Sequence, residues 1–187
     1  KDALTPSSYT ILKEEINKGH FVRDFSKFEK IALYNLRLMS LEEIKKLPDV
    51  SEGLEHLIKK AALSCNTVDD FVNIVCSKRY TKTRIRRILL YALLGISKKD
   101  IDISKKVVPY VRVLGFNDKG KNLVSKIKHK NPSAKIVTSV KKFVDSNGNK
   151  NLQVLMNKDI WATNVYTLGF ESDSWGNLDF SRKIVIK

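Results

Sequence analysis

The residues best placed to do chemistry lie between Cys76 and Lys99, where eight Lys and Arg side chains occur without a single acid. Lys78, Arg79, Tyr80, Lys82, Arg84, Arg86 and Arg87 crowd its first half. Its second half is almost wholly apolar, and one helix can serve both halves. Ile85, Ile88, Leu89, Ala92 and Leu93 recur at the i, i+3, i+4, i+7 spacing of a buried helical face. At about 100° per residue the arginines fall outside that face. Thr81 or Thr83 can accept a bond from a free backbone N–H at the start, and Gly95 stands where a helix often stops. Arginine at a helix N-terminus adds to the positive end of the helix dipole. An anionic ligand, such as a phosphate, would compensate for that placement. The same residues also read as a solvated basic face.

Tyr80 lies inside this cluster. An aromatic ring beside arginine suits stacking on an unpaired base, which favours RNA over duplex DNA. It equally suits packing over the start of its own helix. Arg84, Arg86 and Arg87 are the leading candidates for phosphate contact, with Lys78, Arg79 and Lys82 in support. Lys121, Lys126, Lys128 and Lys130 either extend this surface or form a solubility face.

Other chemistry is sparse. No glycine-rich phosphate loop occurs, since Gly115 and Gly120 make neither G-x-G-x-x-G nor a P-loop. No Ser/His/Asp arrangement stands out. Glu42-Glu43 and Asp69-Asp70 are adjacent pairs whose side chains diverge on a helix, so they suit first-turn dipole roles. Cys65 and Cys76 match no metal or redox spacing, and His20, His56 and His129 are scattered, so no metal site is expected. The two thiols suit a reducing cytoplasm. By themselves these residues read as a nucleic-acid-binding part and not as an enzyme.

The totals agree. The chain has 187 residues, 42% of them hydrophobic, and carries a formal net charge of +15. That charge points to a polyanionic partner. The longest apolar run, residues 88–96, is far short of a membrane-spanning helix, and no membrane partner is expected.

The elements that must position these residues are mainly helical. Helices are expected over residues 7–18, with Tyr9, Leu12 and Ile16 on one side, and over 25–38, with Phe28, Ile31, Ala32 and Leu36 inward. Ser40 and Glu43 make a capping box for a third, closed by Pro48. A fourth starts at Ser51, Thr67 caps a fifth, and the cationic helix is the sixth. The pattern changes near Lys105. Residues 107–116 and 136–138 read as strands around a helix over 118–130 with Leu123, Val124 and Ile127 inward, an order that favours a parallel crossover. A turn at 146–149, a long helix over 152–168, a loop at 172–177 and a last strand over 180–186 follow. The expected fold is α+β: a helical bundle over residues 1–104, then a small three-stranded α/β subdomain over 105–187.

Several segments also carry a family resemblance. K-R-Y-T-K-T-R-I-R-R-I-L-L-Y-A-L-L at residues 78–94 is the most specific. Y-N-L-R at 34–37, E-G-L-E at 52–55, Y-V-R-V-L-G-F at 110–116 and D-I-W-A-T-N-V-Y at 159–166 accompany it in order. Together they resemble the C-terminal region of the bacterial tRNA(Met) cytidine acetate ligases. Departures occur at His56-Leu57, where the family pattern leads one to expect Asn-Arg, and at Asn164, where it has Asp. The resemblance implies an ATP-dependent enzyme whose HIGH-type nucleotidyltransferase domain activates acetate as acetyl-adenylate. The exocyclic amine of the wobble cytidine of elongator tRNA(Met), held out of its stack, then attacks. The glycine- and histidine-bearing nucleotide motifs of that domain are not found here, and the chain starts at Lys1 without an initiator methionine. The expectation is therefore a tRNA-binding C-terminal part, with no catalytic residue and no cofactor of its own. Its own N-terminal nucleotidyltransferase domain, with ATP and acetate, is expected upstream of Lys1. A freestanding RNA- or DNA-binding protein is the alternative.

Overall fold

The computed structural model describes residues 3–51, 53–146, 148–172 and 175–186. Close contacts divide the chain into one unit of Lys1–Ile101 with Asn164–Gly176 and another of Asp102–Thr163 with Asn177–Lys187.

The first unit is built from helices, several of which start at a side-chain cap. Helix α1 (Pro6–Asn17) starts at Thr5, whose side chain accepts from the Ser8 N–H. A 3-10 turn (Phe25–Phe28) leads into α2 (Glu29–Leu38). At α3 (Leu41–Lys45) the expected capping box forms: the Ser40 hydroxyl accepts from the Glu43 N–H, and the Glu43 carboxylate accepts from the Ser40 N–H at 2.7 Å. Helix α4 (Leu54–Ser64) follows, then α5 (Val68–Val75), capped by Thr67. Helix α6 (Lys82–Leu94) is the cationic helix and α7 (Lys98–Lys106) follows it.

Ala32, Leu33 and Leu36 of α2 pack with Ile58 and Ala61 of α4 and with Ile85, Ile88 and Leu89 of α6 in one core, every one of them almost fully buried. Two basic side chains tie α2 to α4 by capping exposed carbonyls. Arg37 donates to the Ala62 carbonyl at 2.7 Å and the Cys65 carbonyl at 2.6 Å. Lys59 donates to the Arg37 and Met39 carbonyls, both at 2.6 Å. Free carbonyls at helix ends need such partners. The buried face of α2 differs from expectation at one position: Leu33 is buried and Ile31 is 36% exposed.

The second unit contains β1 (Val111–Arg112), β2 (Gly115–Phe116), α8 (Asp118–Lys130), β3 (Ile136–Val137), α9 (Val140–Ser146), the long α10 (Lys150–Thr167, whose last turn belongs to the first unit), α11 (Leu178–Ser181) and β4 (Val185–Ile186). Strand β1 pairs in parallel with β3, and β2 pairs in parallel with β4. The three-stranded subdomain is therefore replaced by two two-stranded parallel sheets. The expected strand over 107–116 is split by Val113 and Leu114 into pieces that serve different sheets. The expected strand over 180–186 keeps only its last pair, because residues 178–181 turn as α11. Gly115 is required where β2 meets β4: a Cβ there would lie 2.9 Å from the Val185 carbonyl oxygen.

A small core of Val137, Val140, Met156 and Ile160 closes around the Tyr110 and Phe143 rings, whose centroids are 5.4 Å apart. Helix α8 buries no residue: Leu123 and Ile127, expected inward, are 57% and 40% exposed. The expected turn at 146–149 and loop at 172–177 include Asn147, Asp173 and Ser174, which lie outside the described residues. Among the described residues, no helix is long and apolar enough to cross a membrane.

Candidate nucleic-acid interface

Helix α6 is held as its sequence pattern requires. Ile85, Ile88, Leu89, Ala92 and Leu93 are buried, the Thr81 hydroxyl accepts from the Arg84 N–H, and Gly95 ends the helix with φ 61°. This anchoring fixes the cations at its N-terminal end, but they do not all face solvent.

Arg84 turns inward. Its guanidinium donates to the Asp49 carbonyl at 2.9 and 2.6 Å, and it sits 5.1 Å from the centre of the Tyr80 ring. Asp49 has φ 63°, a left-handed conformation that acidic and amide residues tolerate better than most. Its carboxylate is also engaged, meeting Arg87 at 2.8 Å. The carboxylate holds the Arg87 guanidinium pKa above its ordinary value, chiefly through the hydrogen bond. Arg86 lies 3.4 Å from Asp69, with both side chains mostly exposed, a geometry of little energetic weight. Tyr80 is half-buried against the core, and the Arg79 guanidinium lies 5.5 Å from its ring centre. Its ring thus packs over the start of its own helix.

Lys78, Arg79 and Lys82 are exposed and pair with no carboxylate among the described residues. Arg86 is exposed as they are. Asp49 was not singled out by sequence reasoning. The Pro48-Asp49 pair signalled only a helix end, and nothing local shows that the next turn aims a carbonyl at a residue 35 positions on. On α8, in the other unit, Lys121, Lys126, Lys128 and Lys130 are all exposed. Cys65 is buried and Cys76 partly so, both as free thiols, and burial raises the Cys65 thiol pKa. Among the described residues no cluster of three His, Cys, Asp or Glu side chains is placed to hold a metal ion.

A family model described as HIGH Nucleotidyl Transferase matches residues 1–177. The chain belongs to the HIGH nucleotidyl transferase family. Relatives of this HIGH nucleotidyl transferase chain include the tRNA(Met) cytidine acetate ligase of Thermoanaerobacter pseudethanolicus, 38% identical over 94% of this chain and 42% of that protein. The enzyme of the same name from Acetivibrio thermocellus is 35% identical over 98% of this chain and 45% of that protein. The crystal structure of apo Thermotoga maritima TmcAL superposes with a TM-score of 0.88 at 30% identity, over 98% of this chain and 45% of that one. A second form of the same protein, bound with alpha-thio ATP, gives the same TM-score and identity over 98% of this chain and 47% of that one. The chain thus spans less than half the length of these relatives.

These matches correct three expectations. The chain is not a C-terminal part that lacks the nucleotidyltransferase domain and needs it upstream as a partner, because the HIGH nucleotidyl transferase model runs through residues 1–177. For the same reason the reading as a non-catalytic, tRNA-binding C-terminal part falls, and the freestanding nucleic-acid binder is not favoured. The expectation of no cofactor for this chain falls with the family match and with the alpha-thio ATP bound to a relative that aligns over 98% of this chain. The error has a physical origin. A missing H-x-G-H string reports on one loop, whereas family membership is carried by the pattern of buried and exposed positions along the whole chain.

Proposed function

We propose that this chain belongs to an ATP-dependent ligase that joins acetate to a cytidine of tRNA(Met), and that ATP and tRNA are its ligands in the cytoplasm. The observation that carries this reading is the match of nearly the whole chain to enzymes of that name, at 33–38% identity. The chemistry is consistent with that name. A carboxylate does not acylate an amine unaided, and an acyl-adenylate made from ATP supplies the leaving group.

The proposed contact surface for tRNA is the exposed part of the cluster at α6: Lys78, Arg79, Lys82 and Arg86. A polyanion exchanges its condensed counterions for such side chains, so binding depends steeply on salt. The two hydrogen bonds of Arg84 to the Asp49 carbonyl and the Asp49 pairing of Arg87 remove these two from the first rank of phosphate ligands. Support comes from the net charge of +15 and from the fixed, outward placement of the four cations.

The test is tRNA(Met) binding by the full chain, measured from 50 to 300 mM salt. Lys78, Arg79, Lys82 and Arg86 changed together to Ala should weaken binding and flatten the log–log salt slope by roughly 0.7 to 0.9 per lost contact. The same change at Lys121, Lys126, Lys128 and Lys130 is the comparison. An unaltered slope in the α6 variant removes that surface from the proposal.

A further inference from the structure

The second unit contains a cleft of about 630 Å³, within the size range of small-ligand sites. It opens beside the carboxyl ends of two parallel strands. Arg112 is the last residue of β1, and Thr138 and Ser139 follow β3 directly. In parallel sheets that edge is where connecting loops bring polar groups together around a ligand.

The lining combines three chemistries. Leu114 and Ile184 give apolar wall, Thr138 and Ser139 give hydroxyls, and Arg182 and Lys183 bring exposed positive charge. Asp179 is the fourth feature and the most telling. Its side chain is only 7% exposed. One carboxylate oxygen accepts from Arg112 at 2.6 Å, while the other is buried and has no hydrogen-bond partner among the described residues. A buried carboxylate oxygen left without a donor is costly, and a ligand O–H or N–H removes that cost.

The geometry points to this cleft as a binding site for a single nucleotide, its phosphate at Arg182 and Lys183, a ribose hydroxyl or exocyclic amine at Asp179, and its base against Leu114 and Ile184. A bare phosphate fits poorly, because Asp179 repels it and gains no donor. A nucleotide carries both the anion and the donor. That nucleotide has two sources, a free nucleotide or an unpaired nucleotide within RNA. The inference rests on the proposed function, whose ligands are nucleotides, but not on the α6 surface, whose variant leaves this cleft intact.

The experiment is calorimetric titration of the full chain with inorganic phosphate, with AMP, with CMP and with an unstructured ribohexanucleotide. Each titration is repeated on D179N and on R182A/K183A. One saturable site is expected, for the mononucleotides or for the oligonucleotide, at least tenfold tighter than for phosphate. Binding should weaken at least tenfold in both variants. Saturation by AMP or CMP assigns the site to free nucleotides, and saturation by the oligonucleotide alone assigns it to RNA. Arg182 and Lys183 are exposed, so R182A/K183A tests the site even if D179N fails to fold. Phosphate and nucleotides binding alike, no saturable binding by any probe, or affinity unchanged in R182A/K183A overturns the proposal.

Discussion

Arg84 and Arg86 sit two positions apart on one helix and meet different partners. Arg84 donates twice to the Asp49 main-chain carbonyl. Arg86 points to solvent near an exposed carboxylate. The two should therefore respond oppositely to substitution. Arg84→Ala should lower the melting temperature, because the Asp49 carbonyl loses a charge-assisted donor and the Tyr80 ring loses a cation, a cost of about 1.5–3 kcal/mol. It should leave the salt slope of tRNA binding unchanged. Arg86→Ala should do the reverse. Thermal melts and salt titrations of the two single variants separate these outcomes.

At the scale of the element, α6 and α3 rest on different physics. Helix α6 depends on its buried stripe. Ile88→Ala should cost roughly 2–5 kcal/mol in denaturant unfolding, since Ile88 has no exposed surface and its neighbours cannot fully collapse into the space. Helix α3 depends on its cap, and Ser40→Ala should cost about 1 kcal/mol. The same cap sets a pH dependence. The Ser40 backbone N–H and then its hydroxyl hold the Glu43 carboxyl below the ordinary glutamate range. Its folded value is depressed, so its contribution is fully present above the ordinary value and is lost as pH falls through the lowered one. Glu43→Gln should flatten the acid limb of a stability–pH curve there, with no change near neutrality in the shape of the curve. Helix α8 marks the limit of reading elements from pattern. Its apolar positions follow helical spacing correctly, yet Leu123 and Ile127 remain exposed. Periodicity identifies a helix and says nothing of how much of its stripe finds a partner.

At the scale of the whole molecule, burial is unequal between the two units. The first unit has a large core that includes residues from α2, α4, α5 and α6, while the core cluster of the second is Val137, Val140, Met156 and Ile160 among the described residues. Local opening follows buried contacts. Amide exchange should therefore be slowest in α2, α4 and α6 and faster in α1, α7 and α8, which bury no residue. Protection in α8 equal to that in α6 would contradict this ranking.

The caps at Ser40 and Thr67, the choice of Thr81 or Thr83 as the cap of α6, and the buried face of α6 were written in the sequence, because each depends on residues within a turn or two of one another. The family resemblance was also visible in short segments, although the missing nucleotide motifs were misread as the absence of the nucleotidyltransferase domain from this chain. The inward turn of Arg84, the split of the 107–116 strand between two sheets, and the meeting of Arg112 with Asp179 were decided only by the tertiary structure. Their partners lie 25 to 70 residues away in sequence. Local spacing fixes what a helix or cap can do alone, but a charged side chain or a two-residue strand takes whichever partner the folded chain brings within bonding distance.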